Sequence, residues 1–182
     1  WGETPLSVVW VWPSGLEYLE REEVLKDFCG RIAKALPEAG LSGHPMEAGY
    51  DFIEVPLHEM LDAVNANRAE GAEMPHLASL VCFSLFDIAI HDAYAKAKGV
   101  GVYDLYTSEF MTRDLSQFFG DSKFEGQYPA DYLVKPESKQ LPVWHLVGGL
   151  DPISEAELTG NEPDDGYPVT LEQWIATDGL TC

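Results

Sequence analysis

Apolar residues return every three or four positions through Val24, Leu25, Phe28, Cys29, Ile32 and Leu36, a spacing that predicts an amphipathic helix from Glu20 to Leu36. Pro37 and Gly40 mark its end. A second helical region runs from Pro45 to Glu70, with Met46 through Phe52 and then Leu57, Met60, Leu61 and Val64 as apolar positions. Pro56 predicts a kink or fresh start inside it. The strongest pattern opens at Pro75 and covers His76 to Lys98, where Gly99 supplies a C-terminal cap. This stretch is apolar nearly all round as far as Ile90, which predicts a helix buried centrally among its neighbours. Shorter helices are expected at Val102 to Leu105 and at Thr112 to Phe119.

The two ends of the chain have a different texture. Trp1 to Trp12 is rich in β-branched and aromatic residues around Pro5, which predicts an edge strand running into an extended segment. Gly120 to Lys139 shifts to Gly, Pro, Lys and Tyr, the composition of a linking segment. Leu141 to Val147 then predicts a strand running into Gly148-Gly149, and Asp151-Pro152 can cap a short helix up to Leu158. Thr170-Leu171-Glu172-Gln173 has the form of a capping box, so a helix is expected over Leu171 to Asp178 with Gly179 as its cap. Strand, loop, helix and the start of another strand make the repeating unit of a parallel α/β fold.

Charge narrows the range of partners. Acids outnumber bases 31 to 11 in 182 residues, a formal net charge of −20 that repels phosphate backbones and anionic headgroups. Neither nucleic acid nor an acidic membrane is expected as a partner. Cys29, Cys82 and Cys182 are odd in number and far apart, with no metal spacing, so neither a disulfide framework nor a zinc site is encoded and a cytoplasmic setting fits. The apolar run Leu77 to Ile90 is broken by Ser79, Ser84 and Asp87 and is too short to cross a bilayer. The chain begins at Trp1 and stops three residues after Gly179, which gives it the look of a piece cut from a longer sequence.

Candidate chemistry is sparse. Asp87 and His91 are four apart on the central helix and can touch, as a dyad that shifts the imidazole's proton affinity or as a satisfied polar pair. Asp92 and Lys96, also four apart, give ordinary helix support. His44, His58 and His76 fall near loops or helix starts with no second ligand at metal spacing, the positions of surface or capping residues. His145 lies in a predicted central strand, where an apolar run on both faces leaves open whether it meets a pocket. Glu162, Asp164 and Asp165 precede Gly166 without the ligand pattern of a calcium loop. No phosphate fingerprint, serine elbow or HExxH segment is present.

Three segments together resemble the enolase superfamily, in the branch of mandelate racemase and muconate lactonizing enzymes. Gly2-Glu3-Thr4-Pro5-Leu6 is similar to the third strand of that family's capping domain. Phe86-Asp87-Ile88-Ala89-Ile90-His91-Asp92-Ala93-Tyr94-Ala95-Lys96-Ala97-Lys98-Gly99, followed by Val102-Tyr103-Asp104-Leu105, resembles its helix reading Ala-Leu-Trp-Asp and the Gly-Lys, Pro-Val-Tyr and Leu-Leu-Gly positions after it. Leu141 to Gly149 stands where the first barrel strand follows the cap. His91 replaces the usual Trp, Ala95 a Gly, Gly101 a Pro and Thr107 the closing Gly, the marks of a divergent subfamily.

The resemblance implies an α+β capping domain, an edge strand plus a helical bundle, over residues 1–120. A linking segment over 121–140 and the first β/α unit of a truncated TIM-like barrel over 141–182 would follow. It implies a Mg²⁺-dependent dehydratase or racemase, a lyase or isomerase that abstracts a proton next to a carboxylate of a small-molecule substrate. His145 and Gly148, at the end of the first barrel strand, are then the substrate-binding candidates. The family's bases and metal ligands would lie beyond Cys182, so no catalytic or metal-ligating residue and no bound Mg²⁺ are expected in this chain, with a Lys-x-Lys or Lys-x-Arg expected just after it. Two other classes stay open: a non-catalytic helical interaction module derived from the cap, and a small acidic metal-binding protein. A homo-oligomer also stays open as a partner.

Overall fold

The computed structural model describes residues 1–134, 146, 151–162 and 166–179. They form seven α-helices: α1 (Val8–Val11), α2 (Tyr18–Glu38), α3 (Pro45–Phe52), α4 (His58–Asn65), α5 (His76–Lys98), α6 (Leu115–Phe119) and α7 (Leu171–Asp178). No β-strand occurs among the described residues. The expected α+β cap followed by a β/α barrel unit is therefore corrected to a helical architecture. The chain divides into two compact units, Trp1–Val134 and Lys135–Cys182.

The edge strand expected over Trp1 to Trp12 fails for a packing reason. A strand would bury Val8, Trp10 and Trp12 on one face, but Trp10 is 72% exposed while Val8, Val11 and Trp12 are almost wholly buried. That three-four spacing is helical, and burying those side chains against α2 and α5 overrides the β propensity of Val and Trp. The preceding Gly2 lies flat on α5, where a methyl group would run into the Leu85 carbonyl and the Ala89 N–H. The segment likened to a cap strand is instead an extended stretch laid along a helix. Arg21 of α2 donates to the Trp12 carbonyl at 2.5 Å, and the Arg68 guanidinium covers the Trp12 ring at 4.9 Å.

Helix α2 follows its predicted stripe, with Leu25, Phe28 and Ile32 fully buried, each contributing roughly 1.5–3 kcal/mol. Pro37 sits inside its last turn rather than ending it. The kink expected at Pro56 is a π-helical turn, Ile53–Leu57, between α3 and α4. Proline has no N–H to donate and its ring crowds the carbonyl four residues back, so the turn widens. The Ile53 carbonyl is met by the His58 imidazole, Nδ1 at 2.6 Å, which gives His58 a structural part at the start of α4.

Helix α5 spans His76–Lys98 between Pro75 and Gly99, the latter at φ 70°. Ala78, Ser79, Cys82 and Phe83 are buried against the other helices, and Phe83 stacks on Phe52 of α3 at 5.1 Å. Its burial is one-sided: Leu77 and Ile88 are more than two-fifths exposed. Helix α5 has 23 residues and holds an 18-residue window of mean hydropathy 1.4, so it is long and apolar enough to cross a membrane by length and composition, which the shorter Leu77 to Ile90 run is not.

Residues 121–134, expected to link, fold back as short turns on the first unit. The Leu115 N–H donates to the Gln127 carbonyl at 2.8 Å, and the Ala130 N–H to the Tyr106 carbonyl at 3.0 Å. Helix α6 begins after Asp114, whose carboxylate accepts from the Ser116 N–H. In the second unit α7 has the predicted bounds and capping box, with the Thr170 hydroxyl accepting from the Gln173 N–H and Gly179 at φ 63°. A 3₁₀ turn, Glu155–Glu157, stands where a short helix was expected. The strand predicted over Leu141 to Val147 lies outside the described residues except for Leu146, which is exposed.

Candidate functional site

Where α3 crosses α5, Gly49 leaves room for a side chain from the facing helix. A methyl at that position would stand 2.8 Å from Oδ1 of Asp87, so the Asp87 carboxylate rests directly on the α3 backbone. His91, one turn along α5, brings Nδ1 to 2.9 Å from the Asp87 carbonyl and 3.5 Å from Asp87 Oδ1. The dyad spacing found in the sequence is thus a real contact. Burial, the larger influence, pushes the Asp87 carboxyl above its usual range, and His91 pulls in the opposite direction.

Around this pair lies a ring of aromatic side chains. His44, the N-cap of α3, is fully buried, and its Nδ1 accepts from the Met46 N–H at 3.1 Å. In the neutral ring the hydrogen is therefore on Nε2, which lies near the Leu105 carbonyl but has no hydrogen-bond partner of good geometry. The His44 ring packs against His91, Tyr94 and Tyr106 at centroid distances of 6.1, 5.6 and 5.4 Å. Burial first, and His91 second, lower its proton affinity. Burial and the neighbouring Asp87 raise that of the Tyr106 hydroxyl. A surface or capping role was expected of His44; it caps α3, but it is fully buried rather than on the surface, and its place in this cluster was not expected.

Two cavities share Asp87, His91 and Tyr106 as a common wall. One, of about 410 Å³, opens between α3 and α5 over Gly49, Phe83, Tyr50 and Phe118. The other, of about 460 Å³, lies on the far side against Ile88 and Tyr103. The first is lined by apolar and aromatic groups with Asp87 its sole acid and no Lys or Arg. Apolar walls with a few convergent polar groups are the ordinary make-up of a small-molecule site.

A second carboxylate explains why α3 holds its place. Glu47 is only 3% exposed and accepts from the Thr112 N–H at 2.6 Å, the Arg113 N–H at 2.7 Å and the Thr112 hydroxyl at 3.1 Å. Burial alone would push its carboxyl up, but these donors, with the His44 N–H, together bring it below its ordinary value. One turn on, Asp51 receives both Arg113 guanidinium nitrogens at 2.6 Å, and that pairing lowers its carboxyl too. This clamp was missed in the sequence because its partners are 62 to 66 positions apart. Its signal would have been two acids four apart on a short apolar helix, in a chain with few bases to meet them.

His145 and Gly148, the substrate-binding candidates, lie outside the described residues, as do Asp164 and Asp165. Glu162 ties a local turn, accepting from the Thr159 and Gly160 N–H groups, which lowers its carboxyl to about 2. Asp92 and Lys96 pair at 2.7 Å as expected. His76 packs its ring on His58 at 4.6 Å. Cys29 and Cys82 are free thiols between α2 and α5. Among the described residues no group of three or more His, Cys, Asp or Glu side chains is placed to hold a metal ion. No family model, curated protein or solved structure matches the chain.

Proposed function

We propose that the first unit is a non-catalytic helical binding module whose working surface is the α3–α5 groove. The observation that supports this is a cavity of about 410 Å³ with Phe83, Tyr50 and Phe118 on its walls and a polar end formed by Asp87 and His91, on the wall it shares with the second cavity. Such a groove takes a flat or branched apolar body and orients it by the polar end. The neighbouring Glu47 and Asp51 carboxylates are fully engaged in holding α3, which leaves Asp87 and His91 as the groups free to meet a ligand. Two-dimensional amide NMR with the neutral probe 2-phenylethanol tests the reading. Shifts are expected at Gly49, Phe83, Ser84 and Phe118 and should vanish in Ser84→Phe, which fills the groove; no shifts at saturating probe would remove the proposal.

The alternative, the N-terminal part of a Mg²⁺-dependent acid-sugar dehydratase or racemase, draws its support from the Phe86 to Leu105 sequence alone. Sequencing the gene across the junction after Cys182 is the measurement that tests it: a Lys-x-Lys or Lys-x-Arg within a few residues would favour this alternative, and a junction without a basic residue would remove its proton-abstraction chemistry.

A further inference from the structure

The groove's polar end narrows the class of occupant, and the argument rests on the binding reading above. Asp87 stands half-buried, its side chain 39% exposed, at the meeting point of both cavities. Among the described residues its one ion-pair partner is the His91 ring, and no Lys or Arg lines either cavity. Other cations are committed elsewhere: the Trp1 ammonium, whose residue lines the second cavity, and Lys96 both to Asp92, Arg113 to Asp51, and Lys98 over the Tyr94 ring.

Tyr106 and Tyr50 line the same cavity as this carboxylate, and aromatic ring faces attract cations. A formal charge of −20 on the whole chain adds a field that draws cations in and keeps anions out. From this juxtaposition we infer that the α3–α5 groove binds a small organic cation, an aromatic or branched alkyl group bearing an ammonium. The apolar body lies over Phe83 and Gly49, and the nitrogen meets Asp87. A carboxylate ligand, the class the enolase-like reading would supply, meets repulsion here from Asp87 with no Lys or Arg on the cavity walls to answer it.

Three probes of one shape separate the possibilities: 2-phenylethylammonium, neutral 2-phenylethanol and anionic 3-phenylpropanoate, each titrated into the intact chain by amide NMR. The ammonium is expected to bind about tenfold more tightly than the alcohol, a gap of about 1.4 kcal/mol, with the carboxylate weakest. Asp87→Asn should close the gap between the two, with the ammonium-to-alcohol affinity ratio falling from about tenfold to about one. Equal binding of all three, or preference for the carboxylate, overturns the cation inference and leaves the groove reading standing. Ammonium shifts scattered over the acidic surface and unchanged in Asp87→Asn overturn it too, whereas failure of every probe removes both. The comparison of charge forms needs no variant, so it decides even if Asp87→Asn folds poorly; circular dichroism checks that folding.

Discussion

Two carboxylates meet α3 within about one turn of each other, Glu47 from the helix itself and Asp87 from α5 above Gly49. Glu47 is almost wholly buried and Asp87 is not, yet Glu47 is held toward its charged form and Asp87 toward its neutral form. Depth alone would give the opposite order, since removal from water disfavours the ion. The difference lies in donors: Glu47 faces two backbone N–H groups and a hydroxyl from the 112–113 loop, while Asp87 has only an imidazole edge. One acid is tied into the scaffold by several donors, and the other keeps a half-exposed side chain beside a single imidazole.

Removing the scaffold acid should break the comparison most severely. Glu47→Ala strands the Thr112 and Arg113 N–H groups and opens a hole at the start of α3, so a loss of about 2–4 kcal/mol is expected. Urea unfolding followed by circular dichroism measures it, and a loss near zero would mean that the loop holds without the carboxylate. The pH dependence sharpens the point because the two acids act with opposite sign. The folded Glu47 carboxyl is below its unfolded value of 4.5, so its stabilisation is present above that pH and disappears as pH falls through the folded value. The folded Asp87 carboxyl is above its unfolded value of 3.8, so it favours folding below that pH, and this preference is lost as pH rises through the folded value. Subtracting the profile of Glu47→Gln from that of the unaltered chain should leave a rising limb, and subtracting that of Asp87→Asn a falling one.

A smaller effect is expected from the outer part of the clamp. Asp51 and Arg113 form a two-pronged pair, but both side chains are about one-third exposed, so Asp51→Asn should cost about 0.5–1 kcal/mol. A loss matching that of Glu47→Ala would show that the guanidinium, and not the buried carboxylate, fixes the loop. Raising the salt concentration should weaken this pair and leave the Glu47 contacts nearly unchanged.

What the sequence exposed and what it concealed divide along the same physical line. Helices α5 and α7 were legible because their punctuation is local: Pro75 and Gly99 in one, Thr170, Gln173 and Gly179 in the other. Asp87 and His91 were legible because one helix carries both. Helix α1 was not, since Val8, Val9, Trp10 and Val11 have strand propensity and only burial against α2 and α5 selects a helical turn. The Glu47 clamp and the passage of Asp87 over Gly49 join distant parts of the chain, and no local periodicity reports them. The enolase-like reading drew on the α5 segment, whose helix and Gly99 cap are present, while the strand that should open the cap is a helix and an extended stretch on α5.

The finest test of the comparison alters neither acid. Gly49→Ala improves helix propensity by about 1 kcal/mol, and the added methyl meets the movable end of Asp87 rather than backbone. The two effects offset, so stability should stay within about 0.5 kcal/mol of the unaltered chain. The charge state of Asp87 should not stay as it is. Displaced from the α3 backbone into water, its carboxyl loses the burial that raises it and returns toward its ordinary value, while Glu47, whose donors are untouched, keeps its own. Carboxyl ¹³C NMR titration of both residues in Gly49→Ala reads the outcome directly. An Asp87 titration that does not move would mean that its shift arises away from the α3 crossing, and the contrast between the two carboxylates would then need another cause than the groove.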